Sequence, residues 1–557
     1  MKLTPFLALA ILFVTCTTNN KVSEETTIEA TPPFLWENAN IYFLLTDRFV
    51  NGDTTNDFSY GRKHDADKLR GYEGGDIRGV IQKLDEGYFK SLGITAIWMT
   101  PPVENIHGFV DEGTGKTYAY HGYWPRDWTN VDANLGTIAD YKELIDKAHQ
   151  QGIRILMDVI INHTGPDSPI DNAWPEEWVR QGPNCTFKSF ETTVNCTLVS
   201  HLADIRTESN EPVELPPFLI EKWTKEGRLD QELKELDAFF ERTGYPRAPR
   251  FYIIKWLTDY VRELGIDGFR VDTAKHVEPS VWVELFKEAI LALEEWKKNN
   301  AEAKLDDLPF YMVSEVYGYS IYSGLDYSFG DTTVNFYDNG FKSMINFSFK
   351  DDIHKQPEDL FSQYSNALNE EKSILKGKSL LNYVSSHDDG QPFDADRINP
   401  FETATKLLLT PGAVQLYYGD ETARILKAEG AVGDANLRTP MNWQALEENK
   451  MQQGYSIADV RAHYSKLGTF RKAHPAVGAG IHQQLVETPY TFKRTLVTGN
   501  FTDKVVVVLD KTSEPIDVSS VFADGTQVKD YYSGTQATVE NGKVRFDTGN
   551  NIILIGE

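Results

Sequence analysis

Between Trp36 and about Pro475, short apolar runs alternate with stretches of helical periodicity, the pattern of βα units that build a parallel sheet. Eight runs read as strands: Ile41–Thr46, Ile94–Met99, Ile153–Val159, Asp267–Val271, Phe310–Ser314, Thr333–Tyr337, Leu380–Val384 and Val414–Tyr418. Eight such units predict an α/β fold, a (β/α)8 TIM barrel, with its chemistry where the strands end. The barrel is expected over residues 34–163 and 249–474. The interval 164–248 is too long for an ordinary βα connection and reads as a small inserted domain with a helix near Phe218–Arg242. From 475 to 557 the pattern changes to short alternating strands such as Val505–Leu509 and Ile552–Ile555. Asp524-Gly525 and Asn541-Gly542 supply hairpin turns between them, so this part is expected to form a C-terminal β-sandwich.

Composition narrows the partners. With 56 basic and 82 acidic residues the net charge is −26, which repels nucleic acid and anionic membrane surfaces but is indifferent to a neutral polysaccharide. The 26 Tyr and 11 Trp suit sugar faces, although most aromatics in any chain are core. Lys2 followed by the apolar run Phe6–Val14 reads as an export signal ending at residue 16, far shorter than the roughly 20 residues that span a bilayer. Cys16 directly after it resembles the lipidated cysteine of bacterial lipoproteins, although Phe13-Val14-Thr15 departs from the usual residues there. Residues 17–33 would then be a flexible tether. The expected location is the periplasm, or the outer membrane or cell surface as a lipoprotein, with free secretion as the alternative. Of three cysteines, Cys185 and Cys196 remain, either as a disulfide in an oxidising compartment or as two unpaired thiols.

Four strand ends carry polar groups. Gly268-Phe269-Arg270-Val271-Asp272-Thr273-Ala274-Lys275-His276 is the richest. Strand period two puts Arg270 and Asp272 on one face, where the guanidinium keeps the carboxylate ionised and oriented. On its own this could be a structural ion pair. Asp158-Val159-Ile160-Ile161-Asn162-His163, Ser314-Glu315-Val316-Tyr317 and Ser385-Ser386-His387-Asp388-Asp389 close three other strands. In this order and spacing the four segments resemble the conserved regions of the α-amylase family of glycoside hydrolases.

The resemblance implies roles position by position. Asp272 would be the nucleophile, Glu315 the general acid/base and Asp388 the third carboxylate, the pair of carboxyls that a retaining glycosidase needs plus one that steadies the cationic transition state. Arg270 would orient Asp272. His163 and His387 would hydrogen-bond the sugar at the cleavage point, with Tyr123 stacking on it and His121 and Trp124 beside it. Lys275 would line the leaving-group side, and Asp434 with Arg438 would grip the chain on the non-reducing side. Two Ca²⁺ sites are implied. One ties the inserted domain, equivalent to domain B, to the barrel through Asn162, Asp204 and the His276 carbonyl. The other is an N-terminal loop containing Asn51, Asp53, Asn56, Asp57, Gly74 and Asp76. These are hard oxygen donors, which suit calcium.

Leu202-Ala203-Asp204 is nearer the Leu-Pro-Asp of α-amylases than the equivalents in oligo-1,6-glucosidases or neopullulanases, and the stretch Pro101 to Trp124 resembles bacterial periplasmic α-amylases. Arg438-Thr439-Pro440-Met441-Asn442-Trp443 instead resembles exo-acting and transferring members. The resemblance therefore implies a monomeric, exported, calcium-dependent hydrolase of starch and maltooligosaccharides cutting α-1,4 bonds with retention. A maltogenic or transglycosylating relative is the alternative, and an inactive glucan-binding protein a lesser one.

Overall fold

The computed structural model describes residues 32–510 and 514–557. The signal and Cys16, and nearly all of the tether, lie outside the described residues. Eight parallel strands close into a barrel: β1 (Asn40–Leu44), β2 (Ala96–Met99), β3 (Arg154–Val159), β4 (Gly268–Val271), β5 (Tyr311–Ser314), β6 (Ser343–Asn346), β7 (Ser379–Asn382) and β8 (Ala413–Tyr417), each hydrogen-bonded to its sequence neighbours and β8 to β1. Every residue of these strands is buried, because helices such as Pro249–Leu264 and Pro279–Asn299 cover the outside.

One expected strand is wrong. Thr333–Tyr337 is not in the barrel: Thr333 and Val334 pair with Tyr327 and Ser328 in a small antiparallel hairpin, and Phe336–Asn339 is a 3-10 turn. The sixth barrel strand is Ser343–Asn346, whose two polar residues hide it from a hydrophobicity pattern. Asn346 is affordable there because it sits in register with Asn382 and donates to its Oδ1 at 2.8 Å and to the Tyr364 hydroxyl at 2.9 Å.

Where the insertion was expected to carry a single helix near Phe218–Arg242, two stand, Pro217–Lys225 and Leu229–Thr243. Gly227, at φ +72°, breaks them. A disulfide joins Cys185 and Cys196, which decides between the two readings of those cysteines. Beyond Gly480 a six-stranded antiparallel sheet forms from Ile481–Val486 to Ile552–Gly556, with a two-stranded sheet (Ile516–Asp517, Lys543–Val544) beside it and a separate core around Val506, Val508, Phe522 and Ile553.

Candidate active site

The barrel places Asp158, Arg270 and Glu315 at the ends of adjacent strands. Arg270 is in register with Asp158 across β3 and β4, and Glu315 directly follows β5, its N–H donating to the Val271 carbonyl at 2.9 Å. Arg270 thereby reaches three carboxyls with one guanidinium: Asp158 at 2.9 Å, Asp272 at 2.8 Å and Glu315 at 2.9 Å. The Arg270 side chain is 2% exposed, so these charges meet with little water to screen them.

Three carboxyls on one cation leave a deficit of positive charge. Burial pushes Glu315 up to about 7, with Arg270 opposing and the Asp272 charge adding to the rise. Burial also lifts Asp272 to about 6, again against Arg270 and with help from Asp158. Asp388 is raised too, by burial and then by Glu315. Its neighbour Asp389 is instead committed to Lys350 at 2.6 Å and to the Tyr383 hydroxyl at 2.7 Å, which leaves Asp388 as the carboxyl facing the cleft. Thr273 follows Asp272 in a left-handed conformation, φ +48°, and this turns its N–H to Glu315 Oε2 at 3.0 Å.

The expected sugar-binding residues gather around this cluster. Tyr123 donates its hydroxyl to Asp158 at 2.7 Å and stacks on His387, ring centroids 5.1 Å apart. His121 Nδ1 accepts from the Tyr123 N–H at 3.0 Å, while His163 Nε2 lies 3.1 Å from the Tyr123 carbonyl. Burial lowers the pKa values of His121, His163 and His387, His163 to about 4, so all three imidazoles are neutral near pH 7. Lys275 Nζ donates to the Tyr317 carbonyl at 3.1 Å. Asp434 takes Arg438 at 2.7 Å and Arg70 at 2.9 Å, and Arg438 Nε donates to the His387 carbonyl. Trp124 stands apart: it is 3% exposed and packs with Ile106, Ala119 and Leu202 behind His121. Phe187 and Leu198 of the insertion line a cleft of about 500 Å³ with Asp272, Lys275, Glu315 and Asp388.

Residue-by-residue reading missed Asp158, which holds Arg270 and Tyr123 and accepts from the Trp98 indole N–H at 2.9 Å. Its signal was present: in a barrel of sequential strands, an Asp closing β3 must lie beside an Arg in β4. Arg70 and the cleft residues Tyr317, Phe347 and Tyr383 were missed as well; Tyr317 and Tyr383 lie just past strand ends, whereas Arg70 comes from a loop whose path no periodicity gives.

The residues expected to hold a hard cation lie in two oxygen-rich places. At the insertion junction Asn162 Nδ2 faces His163 Nδ1 at 3.2 Å, which leaves the buried Asn162 Oδ1 without a partner. Ile205 donates to the Asn162 carbonyl, and Asp204, the residue before it, bridges to His163. Burial pushes Asp204 up to about 9 although Arg180 lies 2.9 Å away, so one guanidinium does not balance it. His276 Nδ1 donates to the Thr193 carbonyl at 2.8 Å. In the N-terminal loop Asn51 Nδ2 meets Asp57 Oδ1 at 2.9 Å, and a Cβ on Gly74 would fall 2.4 Å from the first and 2.8 Å from the second. The buried Asn56 Oδ1 has no partner. Asp76 and Asp53 are partly used by the turn: Asp76 caps the helix Ile77–Asp85 and accepts from the Gly52 and Asp53 N–H groups, and Asp53 accepts from Thr55. Among the described residues no three His, Cys, Asp or Glu side chains gather as a metal cluster, so both places depend on amide and carbonyl oxygens.

Residues 43–476 match the family model of the α-amylase catalytic domain. The chain is 37% identical over 540 residues to the periplasmic α-amylase of Escherichia coli (strain K12), covering 87% of this chain and 74% of that protein. It is 27% identical over 455 residues to the cyclomaltodextrin glucanotransferase of Thermoanaerobacterium thermosulfurigenes, covering 80% of this chain but 56% of that protein, so it spans little more than half of that longer relative. The solved α-amylase of Anoxybacillus superposes with a TM-score of 0.61 at 22% identity, covering 94% of this chain and 99% of that one, which is agreement in fold. This chain belongs to the α-amylase family of glycoside hydrolases.

Proposed function

We propose that this hydrolase cleaves internal α-1,4-glucosidic bonds of starch and maltooligosaccharides with retention of configuration. The observation that carries the reading is Arg270 joined to Asp272 and Glu315 through two of its nitrogens, which holds the two carboxyls within a few ångströms of each other. That closeness suits a double displacement, since an inverting enzyme needs wider separation for a water between its carboxyls.

In the first step Glu315, kept protonated by burial and the Asp272 charge, gives its proton to the glycosidic oxygen. Asp272, ionised above about 6 and aimed by Arg270, attacks the anomeric carbon from the other face. The ester that forms removes the Asp272 charge, and that lowers the Glu315 pKa. Glu315 then takes a proton from water, which opens the ester. Asp388 faces the developing oxocarbenium ion. His163 and His387, both neutral, offer hydrogen bonds to sugar hydroxyls, and Tyr123 lends its ring face with its hydroxyl anchored on Asp158.

Calcium would be held at the insertion junction by Asn162, Asp204 and the His276 carbonyl, and in the N-terminal loop by Asn51, Asp53, Asn56, Asp57, Gly74 and Asp76. Bound there, it supplies charge that ties loops to the barrel and takes no part in bond cleavage. Export is supported by the Lys2 to Cys16 pattern and by the periplasmic relative.

Chromatography of products from soluble starch with added Ca²⁺ tests the reading, with Asp272→Asn as the control. Early release of mixed maltooligosaccharides, abolished in the control, is expected. Maltose alone from the start would point to a maltogenic enzyme. Cyclic or transferred products would point to the transferring reading, favoured by the glucanotransferase relative and the Arg438 to Trp443 motif. No turnover of any α-glucan would overturn all three.

A further inference from the structure

The disulfide-closed loop Cys185–Cys196 is built against the leaving-group wall of the cleft, and nothing in the chemistry above uses it. Its two cysteines are 11 positions apart with Cα atoms at 4.9 Å. One side of the loop reaches the turn after β4: the Thr193 carbonyl lies 2.8 Å from His276 Nδ1, and the Phe187 ring packs edge-on to His276 at 5.8 Å. The other side reaches the hairpin between β5 and β6. There Phe190 packs on Phe329 at 5.1 Å, and the Phe190 N–H donates to Asp331 Oδ1 at 2.8 Å. The loop is thus a strap from the nucleophile strand's turn to the connection that follows the acid/base strand.

Phe187 is the strap's contribution to the cleft. Its ring is 52% exposed and lies 5.8 Å from Lys275 Nζ, beside Tyr317 and opposite the carboxyls. Its backbone is left-handed, φ +56°, a costly state for a large side chain that persists only when the surroundings impose it. The imposing contacts are local: Thr186 and Phe187 N–H groups both donate to the Thr192 carbonyl at 3.1 Å, inside the ring that the disulfide closes. At the base, Cys185 N–H donates to the Thr197 carbonyl and Thr197 N–H to the Pro183 carbonyl, so opening the disulfide leaves the loop attached there.

We propose that the Cys185–Cys196 disulfide is a specificity-determining element: it holds Phe187 against Lys275 and so sets how strongly glucose units beyond the cleaved bond are bound. This rests on the α-glucan reading of the site. The cysteines are positioning residues, since they act through Phe187 and touch no substrate.

The test compares maltoheptaose, which extends past the cleaved bond, with an aryl maltotrioside, whose small aryl leaving group does not reach the strap. In Cys185→Ser/Cys196→Ser enzyme, kcat/KM for maltoheptaose is expected to fall about three- to tenfold through KM, the size of one aromatic contact, while the aryl substrate keeps its wild-type constants. Phe187→Ala in the oxidised enzyme should reproduce the maltoheptaose loss and add little when combined with the serine pair. Should the serine variant fail to fold, wild type treated with dithiothreitol replaces it. The reagent's two thiols become a cyclic disulfide while Cys185 and Cys196 gain two electrons and two protons as thiols, with titrated thiols and the melting curve reporting reduction and fold. Equal loss on both substrates, no loss on either, or full additivity with Phe187→Ala would overturn the proposal. Wild-type inactivity on both substrates would strike the function reading itself and would be visible before any variant is made.

Discussion

Two clusters of arginine and carboxyl, linked through the Arg438 bond to the His387 carbonyl, are built in opposite ratios. At the floor one guanidinium, Arg270, serves Asp158, Asp272 and Glu315. On the non-reducing side two guanidiniums, Arg70 and Arg438, serve the single carboxylate of Asp434. Burial pushes carboxyls up in both. On the floor it wins, leaving Asp272 near about 6 and Glu315 near about 7. Beside Arg438 it loses, because the two cations hold Asp434 below the usual carboxylate range. The ratio of carboxyl to guanidinium therefore decides which cluster can exchange protons near neutrality and which is a fixed anion that can only hold things in place.

The most severe way to break the comparison is to delete the reactive carboxyls. Asp272→Asn should lower kcat on maltooligosaccharides about 10⁴-fold, since no nucleophile remains. Glu315→Gln should lower it about 10²- to 10⁴-fold, and much less on an activated aryl substrate whose leaving group needs no proton. A Glu315→Gln enzyme with equal losses on both substrates would remove it from the acid role. Next in size is the shared cation. Arg270→Met leaves three buried carboxyls without their partner and should cost about 3–5 kcal/mol in urea unfolding at pH 7. A loss under 1 kcal/mol there would mean that the floor cluster is not electrostatically strained at all.

Much of this contrast was legible in the sequence, because it depends on which residues end which strands. Arg270 and Asp272 two apart in a strand, Glu315 after the next one and Asp388 after the seventh need only the barrel order to be brought together. What stayed hidden depended on pairing between segments distant in sequence. Asp158 was in plain view as a residue but not as a partner of Arg270 until strand register joined them. Arg70 comes from the loop after β1, 364 positions from Asp434, and no local pattern links them. Trp124 errs in the other direction, an aromatic in a sugar-binding motif whose ring the fold turns into a side core. The sixth strand was misplaced for a related reason, since Ser343 and Asn346 are buried polar residues, and the cross-strand partner that satisfies Asn346 shows only in the register.

The pH profile sharpens the contrast. The proposed double displacement needs Asp272 without its proton and Glu315 with its proton, so kcat/KM should fall as pH drops through about 6 and fall again as it rises through about 7, the limbs belonging to the coupled pair. Because the Asp158 charge raises Asp272, Asp158→Asn should move the acid limb to lower pH. A profile with its acid limb already near 4 in the wild type would mean that the charge deficit on the floor is filled by something else.

The smallest effect belongs to the fixed anion. Asp434→Asn keeps the shape of the side chain but removes the charge that Arg70 and Arg438 share, and Arg438 also donates to the His387 carbonyl next to Asp388. A site that only grips should answer through KM, rising about fivefold for the loss of one charge-assisted contact of about 1 kcal/mol, with kcat and both pH limbs unmoved. If Asp434→Asn shifted the limbs as far as Asp158→Asn does, the two clusters would be one electrostatic unit, and the division between proton exchange on the floor and anchoring at the side would fail.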